Sequence, residues 1–165
     1  AKASLSLNKL IVQTLTDMED TVKKSGLDIK LKIPEKDVLI ISDGSRIYRV
    51  MQNIIENALK YSLKGTRIYI TESTENNTVK LTIKNTASYE MDFKEEEILE
   101  RFVRGDKSRN TDGNGLGLSI AKEFTAACGG TFNIKIDGDQ FNVIISFPIE
   151  TDTIPEAESV SPENI

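Results

Sequence analysis

"SDGSRIYRVMQNIIENALKYS", residues 42–62, is the stretch on which the reading of this chain turns. Asp43 stands where a helix N-cap belongs, and Ile47, Val50, Met51, Ile54, Ala58 and Leu59 then recur at helical spacing. The pattern predicts a helix over 45–62 with one apolar face. Asn53, Asn57 and Lys60, spaced i, i+4, i+7, share the opposite face. Asparagine is a mediocre helix former, and two in mid-helix cost about 1 kcal/mol together against alanine. Two readings follow. One is a solvated polar face, although Glu, Lys, Arg or Gln would serve that better. The other is a site where the carboxamide oxygens of Asn53 and Asn57 contribute to a Mg²⁺ that also holds phosphates. A neutral amide adds no repulsion to a polyphosphate, and Lys60 would bring a point charge to the same anion.

Sixty residues on, "TDGNGLGLSIAKEF" (111–124) sets Gly113, Gly115 and Gly117 at alternate positions before a helix expected over 117–128, closed by Gly129 and Gly130. Bare N–H groups leading into a helix N-terminus make an anion site, and a flexible hinge would look the same. No Gly-Lys-Ser/Thr closes the run, so it is not a Walker loop, and it misses the dinucleotide fingerprint as well. Joined to the Asn53/Asn57/Lys60 face, the glycines read as a second wall of one phosphate site. Between the two lies "RFVRGDKSRN" (101–110). It is either a solvated charged surface or a lid whose Arg104, Lys107 and Arg109 close over phosphates.

The flanking sequence supplies a sheet. Ile11, Leu15, Met18 and Val22 stripe a helix over 5–25 that Gly26 ends. Strands are expected at 27–33 and 38–41, in a hairpin at 67–72 and 78–85, and in another at 131–137 and 141–147. A short helix is expected over 95–102. This order predicts an α+β fold, a two-layer α/β sandwich with a mixed, mostly antiparallel sheet and helices on one face.

Composition bounds the rest. With 165 residues, 38% hydrophobic and 28% charged, the chain fits one globular domain over 1–149 followed by a tail at 150–165. The tail "ETDTIPEAESVSPENI" holds five acids and no Lys or Arg, and reads as disordered. It accounts for the whole net charge of −5, so nucleic-acid binding finds no net basic excess in the body. No apolar run approaches the roughly 18 residues of a membrane helix, and no signal peptide is apparent. Cys128 alone excludes an internal disulfide, reads as a buried structural thiol and fits a reducing compartment. The absence of histidine removes His-based general base chemistry and the usual zinc sites. The opening Ala1 suggests a fragment, expected to be monomeric and free of membrane contact.

These segments resemble the boxes of sensor histidine kinases: "QNIIENALKYS" the N box, "ERFVRGDKSRN" the F box and "GNGLGLSIAKE" the G2 box, in order over about residues 5–149. The resemblance implies the catalytic and ATP-binding domain of a two-component sensor kinase, with the Bergerat fold shared by gyrase-type ATPases. It implies that Asn53 and Asn57 bind or orient the Mg²⁺–phosphate group, that Lys60 contacts phosphate and that Tyr61 lines the nucleotide site. Phe102 would anchor the lid, with Arg104, Lys107 and Arg109 near the polyphosphate. Gly113, Gly115, Leu116, Gly117 and Leu118 would form the loop beneath it.

One box departs from the pattern. Where the family's G1 motif belongs, the chain reads "NTASYEM": Asn85 takes the Asp position, with Ala87 and Tyr89 in place of glycines. An asparagine oxygen can accept the adenine amino hydrogen bond, but without charge. The resemblance further implies transfer of the ATP γ-phosphoryl to a histidine on a separate dimerisation domain, with a response regulator as partner and a membrane receptor as parent. With no histidine in the chain, autophosphorylation in cis is excluded. The altered G1 box motivates an alternative, a non-catalytic regulatory module of the same fold. A free-standing ATPase or serine kinase is a third reading, weakened because Asn53 stands where hydrolysing relatives carry a glutamate base. Glu56 turns about 100° from Asn57 and is a weaker candidate for that role.

Overall fold

In the computed structural model, which describes residues 1–88 and 114–150, the chain opens with strand β1 (Ala3–Ser6) and runs into helices α1 (Leu7–Asp17) and α2 (Glu19–Ser25). The single helix expected over 5–25 is therefore two helices behind a strand. Ser6 Oγ accepts from the Lys9 amide to start α1, and Met18, at φ −100° and ψ 14°, breaks the run. Gly26 ends α2 in the left-handed region at φ 73°, where a side chain would be strained.

There follow β2 (Asp28–Lys32), β3 (Leu39–Ser42), α3 (Gly44–Tyr61), β4 (Arg67–Glu75), β5 (Thr78–Thr86), α4 (Asn114–Ala127), β6 (Thr131–Asp137) and β7 (Gln140–Pro148). Five strands form one sheet in the order β2-β4-β5-β7-β6, and β1 pairs with β3 in a separate ribbon. Only β2 and β4 run parallel; the other pairs are antiparallel. The β4–β5 turn has Asn76 at φ 53° and Asn77 at φ 60°, the two positive values a tight two-residue hairpin demands.

Period-two alternation sends Ile68 and Ile70, Val79, Leu81 and Ile83, and Val143, Ile145 and Phe147 toward the helices, where they meet Ile47, Met51 and Ile54 of α3. The two-layer sandwich expected from the sequence is the architecture found. Asn8 fastens its corner: Nδ2 donates to the carbonyls of Pro34 and Lys36 at 2.7 and 2.9 Å, and Oδ1 accepts from the Val38 amide at 3.1 Å. Cys128 is buried, and its carbonyl accepts from Ser42 Oγ at 3.1 Å, tying β3 to the end of α4. After β7 the Ile149 amide donates to Asn77 O and the Glu150 amide to Leu39 O, so bonding to the body continues through Glu150. The short helix expected at 95–102 and the tail beyond 150 lie outside the described residues.

α3 departs from its expected amphipathic form. Ile55, off the apolar stripe, is 1% exposed, while Asn53 and Asn57 are only 9% and 3% exposed. The solvated-face reading is thus wrong for the two asparagines. α4 packs along α3, so the asparagine side is also an interior side.

Candidate functional site

α3 is the spine of the site. Its start is fixed by Asp43, whose Oδ1 accepts from the Ser45 and Arg46 amides at 3.1 and 3.3 Å. The Ser45 hydroxyl also donates to this carboxylate and is the main reason its pKa falls to about 2. Further contact with α4 comes from Arg46, whose guanidinium carbon lies 5.7 Å from the Phe124 ring centroid.

Midway along α3, the glycine stretch arrives. A Cβ placed on Gly117 would lie 3.8 Å from Cβ and Cγ of Asn53 and 3.9 Å from its Oδ1. Residues 64 positions apart in the chain therefore face each other across the α3–α4 junction. The helix begins at Asn114 rather than 117, so Gly115, Leu116, Gly117 and Leu118 are helical and not a loop. Leu118 is fully buried in the core, and its assignment to a loop under the phosphates is corrected accordingly. The helix starts early because burial of Leu118 and Ala121 in the core outweighs glycine's low helix propensity.

The two asparagines carry the clearest chemical signal. Asn53 Nδ2 and Asn57 Oδ1 are buried and have no hydrogen-bond partner among the described residues. Leaving such a group unpaired costs about 1–3 kcal/mol. One is a free donor and the other a free acceptor, one helical turn apart.

At the C-terminal end of α3, Lys60 is exposed, with Nζ 5.9 Å from the Tyr61 ring centroid. Here Ser62 bridges to Ala87 and the Leu63 amide donates to Thr86 O at 2.8 Å. That joint brings Asn85, 3% exposed on the helix-facing side of β5, to the same end of α3. Ala87 sits in the bridge without a positive φ, so its backbone position does not need the glycine of the G1 pattern. Glu56 is exposed, turned about 100° from Asn57 around the helix. Phe102, Arg104, Lys107, Arg109 and Gly113 lie outside the described residues, as do the side chains of Asn114–Leu116.

One buried group was overlooked in the sequence. Glu72 of β4 is 5% exposed, with both carboxylate oxygens unpaired among the described residues, and desolvation raises its pKa to about 7. Its signal was available, since it follows Ile68 and Ile70 at the inward positions of the strand.

The model of the histidine kinase-, DNA gyrase B- and HSP90-like ATPases matches residues 42–151, from the last residue of β3 to just past β7. The chain belongs to this ATPase family. Among curated relatives, it is 30% identical over 160 residues to the sensor protein VanS of Enterococcus faecium, covering 96% of this chain and 41% of VanS. This ATPase chain thus spans less than half the length of that relative. Among solved structures, the catalytic domain of histidine kinase ThkA superposes with a TM-score of 0.76 at 23% identity, covering 90% of this chain and 95% of that one. Full-length ShkA in complex with AMPPNP gives a TM-score of 0.72 at 24% identity, over 90% of this chain and 31% of ShkA. At these identities the two structures establish the shared fold.

Proposed function

We propose that this ATPase-family chain is the ATP-binding catalytic domain of a sensor histidine kinase. It would deliver the γ-phosphoryl group to a histidine on a separate dimerisation domain, from which a response regulator takes it. The observation that carries this reading is the facing of Gly117 and Asn53 beside two amide atoms that have no partner among the described residues. ATP with Mg²⁺ supplies what those atoms lack.

The residues present fit the metal. Asn57 Oδ1 is a buried neutral oxygen without a donor, and hard Mg²⁺ takes oxygen ligands while keeping several waters. When bound, the metal neutralises charge on the phosphates. Asn53, as it is oriented, presents Nδ2 and so suits a phosphate oxygen. Gly117 leaves the α4 backbone open beside it, at the positive end of the helix. Lys60 would bring its charge to the phosphates, Tyr61 would line the nucleotide site, and Asn85 would accept from the adenine amino group. Arg104, Lys107 and Arg109 would close from the segment before α4, with Phe102 anchoring it. None of the asparagines can serve as a general base for water, which favours transfer by positioning over hydrolysis. The reading places the domain in the cytoplasm, where ATP is available; among the described residues no helix is long and apolar enough to cross a membrane.

Calorimetric titration with ATP and Mg²⁺ tests the proposal. The chain should bind nucleotide, and Asn57→Ala should weaken Mg²⁺-dependent binding about tenfold or more, the loss of a charge-assisted contact. Absence of binding by the native chain would sink the kinase reading, and unchanged affinity in the variant would remove the metal role. Transfer itself is read by mixing the chain with a His-bearing helical hairpin and following label from γ-labelled ATP.

A further inference from the structure

The sheet face turned away from the helices sorts charge in a way the linear sequence conceals. Registers place Lys30, Tyr69, Lys84, Asn142 and Lys135 in one row across all five strands. The next row is Lys32, Thr71, Thr82, Ile144 and Asn133, and the one beyond it Ser73, Lys80, Ser146 and Thr131. These rows hold five lysines and no acid, whereas Asp28, Asp137 and Glu75 stand only at the strand ends. Lys30 pairs with Asp28 at 3.1 Å, but Lys32, Lys80, Lys84 and Lys135 form no ion pair among the described residues. No described element packs on this face, and Tyr69, between Lys30 and Lys84, is 41% exposed. The nucleotide site lies on the other side of the sheet.

The complementary charge is in the same chain. Residues 151–165 carry Asp152, Glu156, Glu158 and Glu163 and no cation. This segment leaves the body after Glu150, whose amide donates to Leu39 O of β3, one residue past the Ile149–Asn77 bond at the β4–β5 turn. At that turn a shallow depression of about 310 Å³ opens on the lysine face, lined by Ser73, Glu75, Asn76, Thr78, Lys80 and Ser146. Fifteen extended residues reach about 50 Å, against about 19 Å across five strands, so the segment can cross every lysine row. We propose that the acidic segment 151–165 docks on the lysine-rich outer face of its own sheet. It would cover a cationic surface that otherwise attracts other polyanions, while leaving the nucleotide side free.

A nitroxide on Val160→Cys, in a chain with Cys128→Ala, tests this by its broadening of backbone amide resonances. Docking should weaken the resonances of Tyr69, Thr71, Thr82 and Ile144 and spare those of α3 and α4. The pattern should vanish in about 1 M salt, where the screening length falls to about 3 Å. It should vanish equally when Asp152, Glu156, Glu158 and Glu163 become amides, or when Lys80, Lys84 and Lys135 become Gln. Even broadening of both layers, or broadening that survives the amide variant, would overturn the proposal. So would broadening that appears only between a labelled and an unlabelled copy, which would assign the face to a second chain. Binding of phosphatidylserine vesicles or of a single-stranded oligonucleotide to the face, with no broadening by the tail, would overturn it in favour of that polyanion.

Discussion

Glu72 makes the folded state sensitive to pH in a range where few side chains titrate. Its two carboxylate oxygens are buried on the helix-facing side of β4, across from Leu81, and have no partner among the described residues. Desolvation raises its pKa from 4.5 to about 7. At about 1.4 kcal/mol per unit, keeping this group ionised in the fold costs about 3 kcal/mol relative to the unfolded chain. Between pH 4.5 and 7 the native state holds the proton and the unfolded state has lost it, so stability falls as pH rises. The contribution is fully present below the unfolded pKa and is lost by the time pH passes the folded one. Urea unfolding followed by far-UV circular dichroism from pH 5 to 8 should show the native chain losing about 2–3 kcal/mol more than Glu72→Gln across that interval. Glu72→Leu should be more stable than the native chain at pH 8 by about 2 kcal/mol, because a buried charge gives way to apolar packing beside Leu81. An equal pH slope in the native chain and Glu72→Gln would refute the reasoning, since the amide cannot titrate.

Three other perturbations follow from the geometry. A Cβ on Gly130 would come within 2.6 Å of Phe147 Cε1 and of Ser146 O, so Gly130→Ala should lower unfolding free energy by about 1–3 kcal/mol in the same urea assay. Gly117→Ala meets Asn53 only at ordinary contact distance, 3.8 Å, so the variant should fold with stability equal or higher by up to about 1 kcal/mol. Calorimetry should nevertheless find its nucleotide affinity reduced, because the added methyl occupies the wall beside Asn53; undiminished affinity would show that no phosphate approaches there. Asp43→Ala removes the acceptor for the Ser45 and Arg46 amides and should lower the melting temperature, while Asp43→Asn, which keeps a capping oxygen, should recover most of it.

Much of the architecture is written in local periodicity. Alternation in β4, β5 and β7 and the helical stripe of α3 depend only on which side chains must leave water, so a two-layer sandwich was legible from residue spacing. The N-cap at Asp43 and the turn at Asn76–Asn77 are equally local, each set by a side-chain oxygen or a tolerated positive φ. The chemistry of the site was legible too, in the sense that Asn53, Asn57 and the glycines are costly helix residues that needed a reason.

What spacing could not say is which faces become interior when one element packs on another. Asn53 and Asn57 are buried because α4 lies along α3, a contact between segments more than fifty residues apart. The same packing pulls Gly115 and Gly117 into a helix that propensity alone would have started later. Strand register decides the rest: it gathers lysines from β2, β5 and β6 onto one face of a body whose charges balance in sequence, and buries Glu72 opposite Leu81. Residue types and their periods determine the elements. Burial and the meeting of distant charges belong to the tertiary structure, because desolvation and Coulomb energy depend on neighbours in space.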